Sequence, residues 1–123
     1  DQAGNVYWPE YNLNSIGNLI SGQGYFTKMS SNNTLVLEGE LIQSDLEILL
    51  NPGWSVIGYL LPEDYSIVNI MTPIISDIVI IKDQDGNVYW PEFSLNSIGN
   101  MGPGKGYQIK MDNSVIFNYP NTD

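Results

Sequence analysis

The residues of this chain that could do chemistry are carboxylates and aromatic rings. Asp83, Asp85 and Asn87 stand at alternate positions of one acidic loop, the spacing at which an EF-hand loop offers its first oxygen ligands, and Glu92 follows. Calcium is the cation such a loop would hold. The fit is partial, because Val88 sits where the sharp turn needs Gly and Glu92 comes too early to be the bidentate ligand. An equivalent earlier loop carries Ala3 in place of the second Asp, so a site there would not be duplicated. The plainer reading is a polar hairpin tip.

The second constellation is aromatic. Tyr7-Trp8 and Tyr89-Trp90 lie in equivalent segments, followed by Glu10 and Glu92. Side chains alternate across a strand, so one ring of each pair turns inward and the other outward. An outward ring beside a carboxylate suits a sugar, with the ring stacked on the pyranose and the carboxylate bonding hydroxyls. Tyr7, Trp8, Glu10, Tyr89, Trp90 and Glu92 are therefore the candidate ligand-binding residues. The competing expectation, and the favoured one, makes Trp8, Trp54 and Trp90 core anchors, since large aromatics dominate burial in small β domains. Glu10 and Glu92 would serve as a glycosidase pair only across a cleft. A chain this short leaves little room for one.

Composition narrows the chemistry further. The 123 residues hold no His and no Cys, which removes the commonest general base, the thiolate nucleophile and the usual zinc ligands. Fourteen carboxylates face four lysines and no arginine, for a net charge of −10. Such a surface repels phosphate backbones and anionic headgroups, so nucleic acid and membrane are not expected partners. No apolar run is long enough to span a bilayer. The Gly-x-Gly turns lack the helix that a phosphate loop requires. These exclusions point away from an enzyme.

What must position the candidate residues is a duplication. Residues 1–29 and 83–111 match at 20 of 29 positions at a constant offset of 82. Identity of that density within one chain marks a repeat architecture. Residues 54–120 read as a full unit, 1–39 as a partial one and 40–53 as a connection, together a single domain. About one and a half units suggest a piece of a longer modular protein.

The elements expected are strands at 5–9, 24–29, 34–38, 54–61, 78–82, 87–91, 106–111 and 115–119, with 46–50 as a weaker candidate. Ile67, Ile70, Met71, Ile74 and Ile75 follow helical spacing, with Ser66 placed as an N-cap and Pro73 shortening the last turn. The fold class is mainly β with one short helix (α+β), an antiparallel sandwich or barrel-like arrangement. The Asp83 to Asn87 segment reads as a hairpin connection. Residues 5–9 lack a preceding strand to pair with. The expectation is a partner from within the chain, with residues 78–82 lying between both VYWP strands as one solution, and head-to-tail association of molecules as the alternative.

The order GWSVIGY, an Ile-rich helix, IVIIKDQDGNVYWPEF, LNSIGN and PGKGYQIKM resembles repeat modules of large secreted and cell-surface proteins of Bacteroidetes bacteria, similar to type IX secretion substrates. It covers Trp54 to Met111 fully and Asp1 to Met29 in part. The resemblance implies an extracellular location and a modular character, and it supplies no catalytic residues. The expected function is a structural or adhesive module without catalysis, whose partners are other modules of the same protein or surface glycans. A carbohydrate-binding module and a calcium-stabilised repeat are the alternatives. The molecule is expected to be a monomer.

Overall fold

The computed structural model describes residues 1–43 and 45–122. Its centre is a five-stranded antiparallel sheet built from Gly53–Gly58 (β4), Ile78–Lys82 (β6), Val88–Trp90 (β7), Leu95–Asn96 (β8) and Gly106–Met111 (β10). The spatial order is β4-β10-β6-β7-β8. Smaller ribbons pair Tyr7–Trp8 (β1) with Leu13–Asn14 (β2), Ile48–Leu50 (β3) with Val115–Phe117 (β11), and Tyr65–Ser66 (β5) with Asn100–Met101 (β9). The chain is mainly β with one short helix, in several antiparallel sheets with no closed barrel among the described residues.

Sequence alternation sets which face is inside. In GYQIKM every second residue of β10 is buried, and its partners in register are Ile57 opposite Tyr107 and Ile81 opposite Ile109. Ile81 in turn faces Tyr89. One face of the sheet is therefore a continuous apolar layer. The opposite face carries Trp54 beside Lys110, Val56 beside Gln108, and Lys82 beside both Gln108 and Val88. There the Lys82 and Lys110 ammonium groups lie 5.1 and 5.9 Å from the Trp54 ring centre.

The inner face is closed by the helix and by the β3–β11 ribbon. Helix α1, Ile67–Met71, points Ile67, Ile70 and Met71 into the core, and Ile74 continues the stripe. Pro73 ends the α-helix, because it has no N–H to donate back, and the chain tightens into a 3-10 helix over Thr72–Asp77. Ser66 stands at the N-cap without a side-chain cap. The Ile67 N–H instead donates to the Gly99 carbonyl at 3.0 Å, which ties the helix start to the second copy of the duplicated segment. Leu50 and Phe117 supply the ribbon's contribution to the same core. The expected connection thus contains a strand of the C-terminal unit, while residue 44 within it lies outside the described residues.

Several expected strands are not present. Residues 24–29 and 34–38 form no strand, and 5–9 shrinks to β1. Strand β6 lies between β10 and β7, not between the two VYWP segments, and among the described residues β1 has only β2 as a neighbour. A strand is defined by its partner's hydrogen bonds. Residues 24–29 correspond to β10, whose partners β4 and β6 precede it in the C-terminal unit; the N-terminal copy has no counterpart of either among the described residues.

Candidate functional site: the duplicated hairpin

The segment that carries the candidate residues is folded twice, with the same bonds. Tyr7 opposes Asn14 and Trp8 opposes Leu13, as Tyr89 opposes Asn96 and Trp90 opposes Leu95. The Ser15 and Ser97 hydroxyls accept from the Val6 and Val88 N–H groups at 2.8 and 2.9 Å and donate to the same residues' carbonyls at 3.2 and 3.3 Å. The Asn14 and Asn96 side chains each accept from the Gly N–H three residues on, at 2.9 Å. Between the strands, a Pro-led 3-10 turn ends at Asn12 in one copy and Ser94 in the other, at φ 51° and 52°, a left-handed conformation rare for residues with a Cβ. The two Tyr hydroxyls of the Gly-x-Gly-Tyr elements accept from the Ile20 and Gly102 N–H groups at 2.8 and 2.9 Å.

The acidic loop is held by the same logic. Asp83 Oδ1 accepts from the N–H groups of Asp85 and Asn87 at 2.9 and 2.8 Å, and Oδ2 accepts from the Asn87 amide at 2.9 Å. Asp1 repeats these bonds to Ala3 and Asn5, so the loop closes whether its third residue is Asp or Ala. Asp83 works as a backbone staple, with both oxygens occupied by N–H donors. Asp85 is exposed on the loop. Among the described residues no group of three His, Cys, Asp or Glu side chains could hold a metal ion.

The aromatic candidates divide by register. Tyr89 is the inward ring of its pair and lies in the core against Ile81, while Trp90 is half-buried on the other face. Tyr7 and Trp8 are both exposed. Each Trp meets a ring three residues on, Trp8 with Tyr11 at 4.8 Å and Trp90 with Phe93 at 4.7 Å, both edge-to-face. The buried Nε1 of Trp90 finds no acceptor among the described residues. Trp8 and Trp54 are each about half exposed, so tryptophans are not the core anchors. Tyrosines take that place: Tyr59, Tyr89, Tyr107 and Tyr119 are buried. Burial pushes the Tyr59 phenol up to about 12, and raises those of Tyr89, Tyr107 and Tyr119 as well.

The candidates do not converge. Glu10 and Glu92 are exposed, each in the 3-10 turn of its own hairpin. An open cleft of about 250 Å³ lies instead where the copies meet, lined by Tyr25, Phe26, Val56, Lys82, Asp83 and Gln108 among others. Of the candidate residues only Asp83 borders it. Sequence reasoning places Trp54 in the core and passes over the two lysines at its ring, and over the Ser and Asn of LNSIGN. The Asn-x-x-Gly spacing in both copies was the available signal for the latter.

The two copies join on β4. Gln23 bridges to Ile57, the Gly24 N–H donates to the Val56 carbonyl and the Gly58 N–H to the Gly22 carbonyl, both at 3.0 Å. The Gln2 side chain takes the Val56 N–H at 2.8 Å. A Cβ at Gly24 would stand 2.6 Å from Val56 Cγ1 and 2.9 Å from the Ile57 carbonyl oxygen, so this approach requires glycine. No helix among the described residues is long and apolar enough to cross a membrane. No family model, curated protein or solved structure matches the chain.

Proposed function

We propose that this chain is a non-catalytic structural segment of an extracellular bacterial repeat protein, working as a scaffold or adhesive element. The observation that carries the reading is how the duplicated residues are used. Asp1/Asp83, Asn14/Asn96, Ser15/Ser97 and Tyr25/Tyr107 are identical between copies, and the side chain of each bonds backbone within its own copy, while the Asn5 and Asn87 side chains donate to the Asp1 and Asp83 carboxylates. Residues retained for shape in two different environments support a building unit. A catalytic or ligand-binding role would instead ask for side chains left free to meet a substrate. The exposure of Glu10 and Glu92 in separate hairpin turns and the missing His, Cys and Arg support the same reading, as does the acidic exterior, which favours solubility in an exposed protein. The bacterial surface location rests on the resemblance of the GW, KDxxGNVYWPE and GxGYxxKM elements.

One observation favours glycan binding as a second reading. Trp8 and Tyr11 form an exposed edge-to-face pair with Glu10 between them in sequence, a stacking platform of the kind sugars use. A glycan array followed by calorimetry on Trp8→Ala and Trp90→Ala separates the two. The structural reading expects no saturable binding at millimolar glycan. Binding abolished by either substitution would replace it with the second.

A further inference from the structure

The two hairpins share their shape and differ in cover. Tyr7 is 65% exposed where Tyr89 is 5%, Leu19 68% where Met101 is 0%, and Met29 61% where Met111 is 2%. In the C-terminal unit the cover comes from residues earlier in the chain. Ile81 faces Tyr89, Tyr65 faces Met101, and Gly53 and Ile78 flank Met111 from its two sides. All of these lie within residues 46–82. So does Ile48, which faces Phe117 in the β3–β11 ribbon, while Leu35, Val36 and Leu37, at the corresponding place after the first hairpin, are exposed. So many large apolar side chains left exposed in one copy and buried at the same positions in the other, with β1 paired among the described residues to β2 alone, call for a cover.

We propose that the open face of the N-terminal copy is a docking surface for an N-terminal half unit of this same repeat. Its occupant has the chemistry of residues 46–82: a Gly-Trp strand, an Ile-rich helix and an Ile-Val strand, joined to residue 1 as Lys82 is joined to Asp83. The C-terminal unit displays this interface in full, position for position. The junction accepts the link, because the Asp1 ammonium donates to the Asn5 carbonyl at 2.8 Å where the Asp83 peptide N–H donates to the Asn87 carbonyl at 3.0 Å. The N-terminal copy is also already seated on β4 through Gly22 and Gly24, so a docked half unit continues an interface that exists. A second copy of the folded chain is a poorer occupant. Its residues 53–58 and 78–82 are paired with its own β10 and β7, and lending them would open the core around Ile57 and Ile81.

The proposal rests on reading the chain as a repeat scaffold, and its test is kept separate from that reading. A copy of residues 46–82 is fused directly ahead of Asp1, and amide exchange of the fusion and of the chain itself is followed by mass spectrometry over a hundredfold concentration range. Exchange across residues 5–8 and 24–29 is expected to slow by about a hundredfold in the fusion, as it does where a strand gains a ladder. Tyr7→Ala, much milder than Tyr89→Ala in the chain itself, becomes as damaging in the fusion. Unchanged exchange in residues 1–29 overturns the proposal. So does loss of protection in β10, which would mean that the added half unit had displaced the native one. Protection of the unfused chain that rises with concentration assigns the face to a second copy and overturns it too. Glycan titration of the same fusion reports on the scaffold reading alone.

Discussion

Truncating equivalent tyrosines in the two copies should have unequal effects. Tyr7 and Tyr89 share sequence context, strand register and turn, and differ in exposure, 65% against 5%. Tyr89 therefore buries roughly three times as much of its surface as Tyr7, and removing a buried aromatic side chain costs about 3–5 kcal/mol. Scaling by burial leaves about 1–2 kcal/mol for Tyr7 as an upper bound. That loss falls on a two-stranded ribbon outside the main sheet, and such ribbons contribute little independent stability. In urea, with a slope of about 2 kcal/mol per molar, Tyr89→Ala should lower the midpoint by about 2 M and Tyr7→Ala by about 0.5 M or less. Fluorescence and far-UV circular dichroism would follow both, since coincident curves establish a single transition. Equal midpoint shifts for the two variants would refute the reasoning, because they would mean that both rings are equally buried in solution.

Gly24→Ala should cost about 1–3 kcal/mol, since its Cβ would press on Val56 and the Ile57 carbonyl, whereas Gly39→Ala, with open space around it, should be neutral or slightly stabilising; thermal melts compare them directly. Asp83→Ala should cost about 1–3 kcal/mol by removing three hydrogen bonds of the loop, by the same amount in calcium and in EDTA. A calcium-dependent rise in melting temperature lost in that variant would support the metal reading. The raised phenols predict alkaline instability. A tyrosine whose folded pKa exceeds its unfolded value near 10 gives up a proton more readily when unfolded, so its contribution is complete below about pH 10 and is lost as pH climbs toward 12. Denaturant titrations between those limits should show the fall, and a flat profile would exclude it.

Legibility in the sequence followed how local the determining interaction was. Strands β6 and β10 were bounded correctly because IVIIK and GYQIKM are flanked by turn residues and paired on both sides. The helix stripe through Ile67, Ile70, Met71 and Ile74 was equally plain, as was the change at Pro73. The N-terminal strands were not. DQAGNVYWPE and DQDGNVYWPE carry the same local signal, yet only the second has a β6 beside it, and no property of the first string encodes its missing neighbour. The choice between Tyr and Trp as the inward ring was hidden for a related reason. Alternation fixes that one of two adjacent side chains is buried, while the register of Ile81 against Tyr89 decides which. The acidic loop was ambiguous because a carboxylate that caps backbone N–H groups and one that holds a cation have the same spacing. Ala3 shows that the first copy closes its loop with one aspartate, so the loop's shape does not depend on a second carboxylate.

Strand β4 is the joint at which copies become an architecture. A strand at the border of a sheet offers a row of open N–H and carbonyl groups, and natural sheets cover or interrupt it. Here β10 takes one side of β4 through residues 53–58, and the N-terminal copy takes part of the other through Gln2, Gly22 and Gly24. Ile57 thus sits between equivalent elements, paired with Tyr107 on one side and bridged to Gln23 on the other. The Gly-x-Gly-Tyr element consequently has two uses. Within a unit it starts the strand that completes the sheet, and between units it caps the next sheet's border. The second use is the one that demands glycine, because it brings backbone against backbone: a Gly24 Cβ would stand 2.9 Å from the Ile57 carbonyl oxygen, whereas a Gly106 Cβ would stand 3.6 Å from it, an ordinary contact.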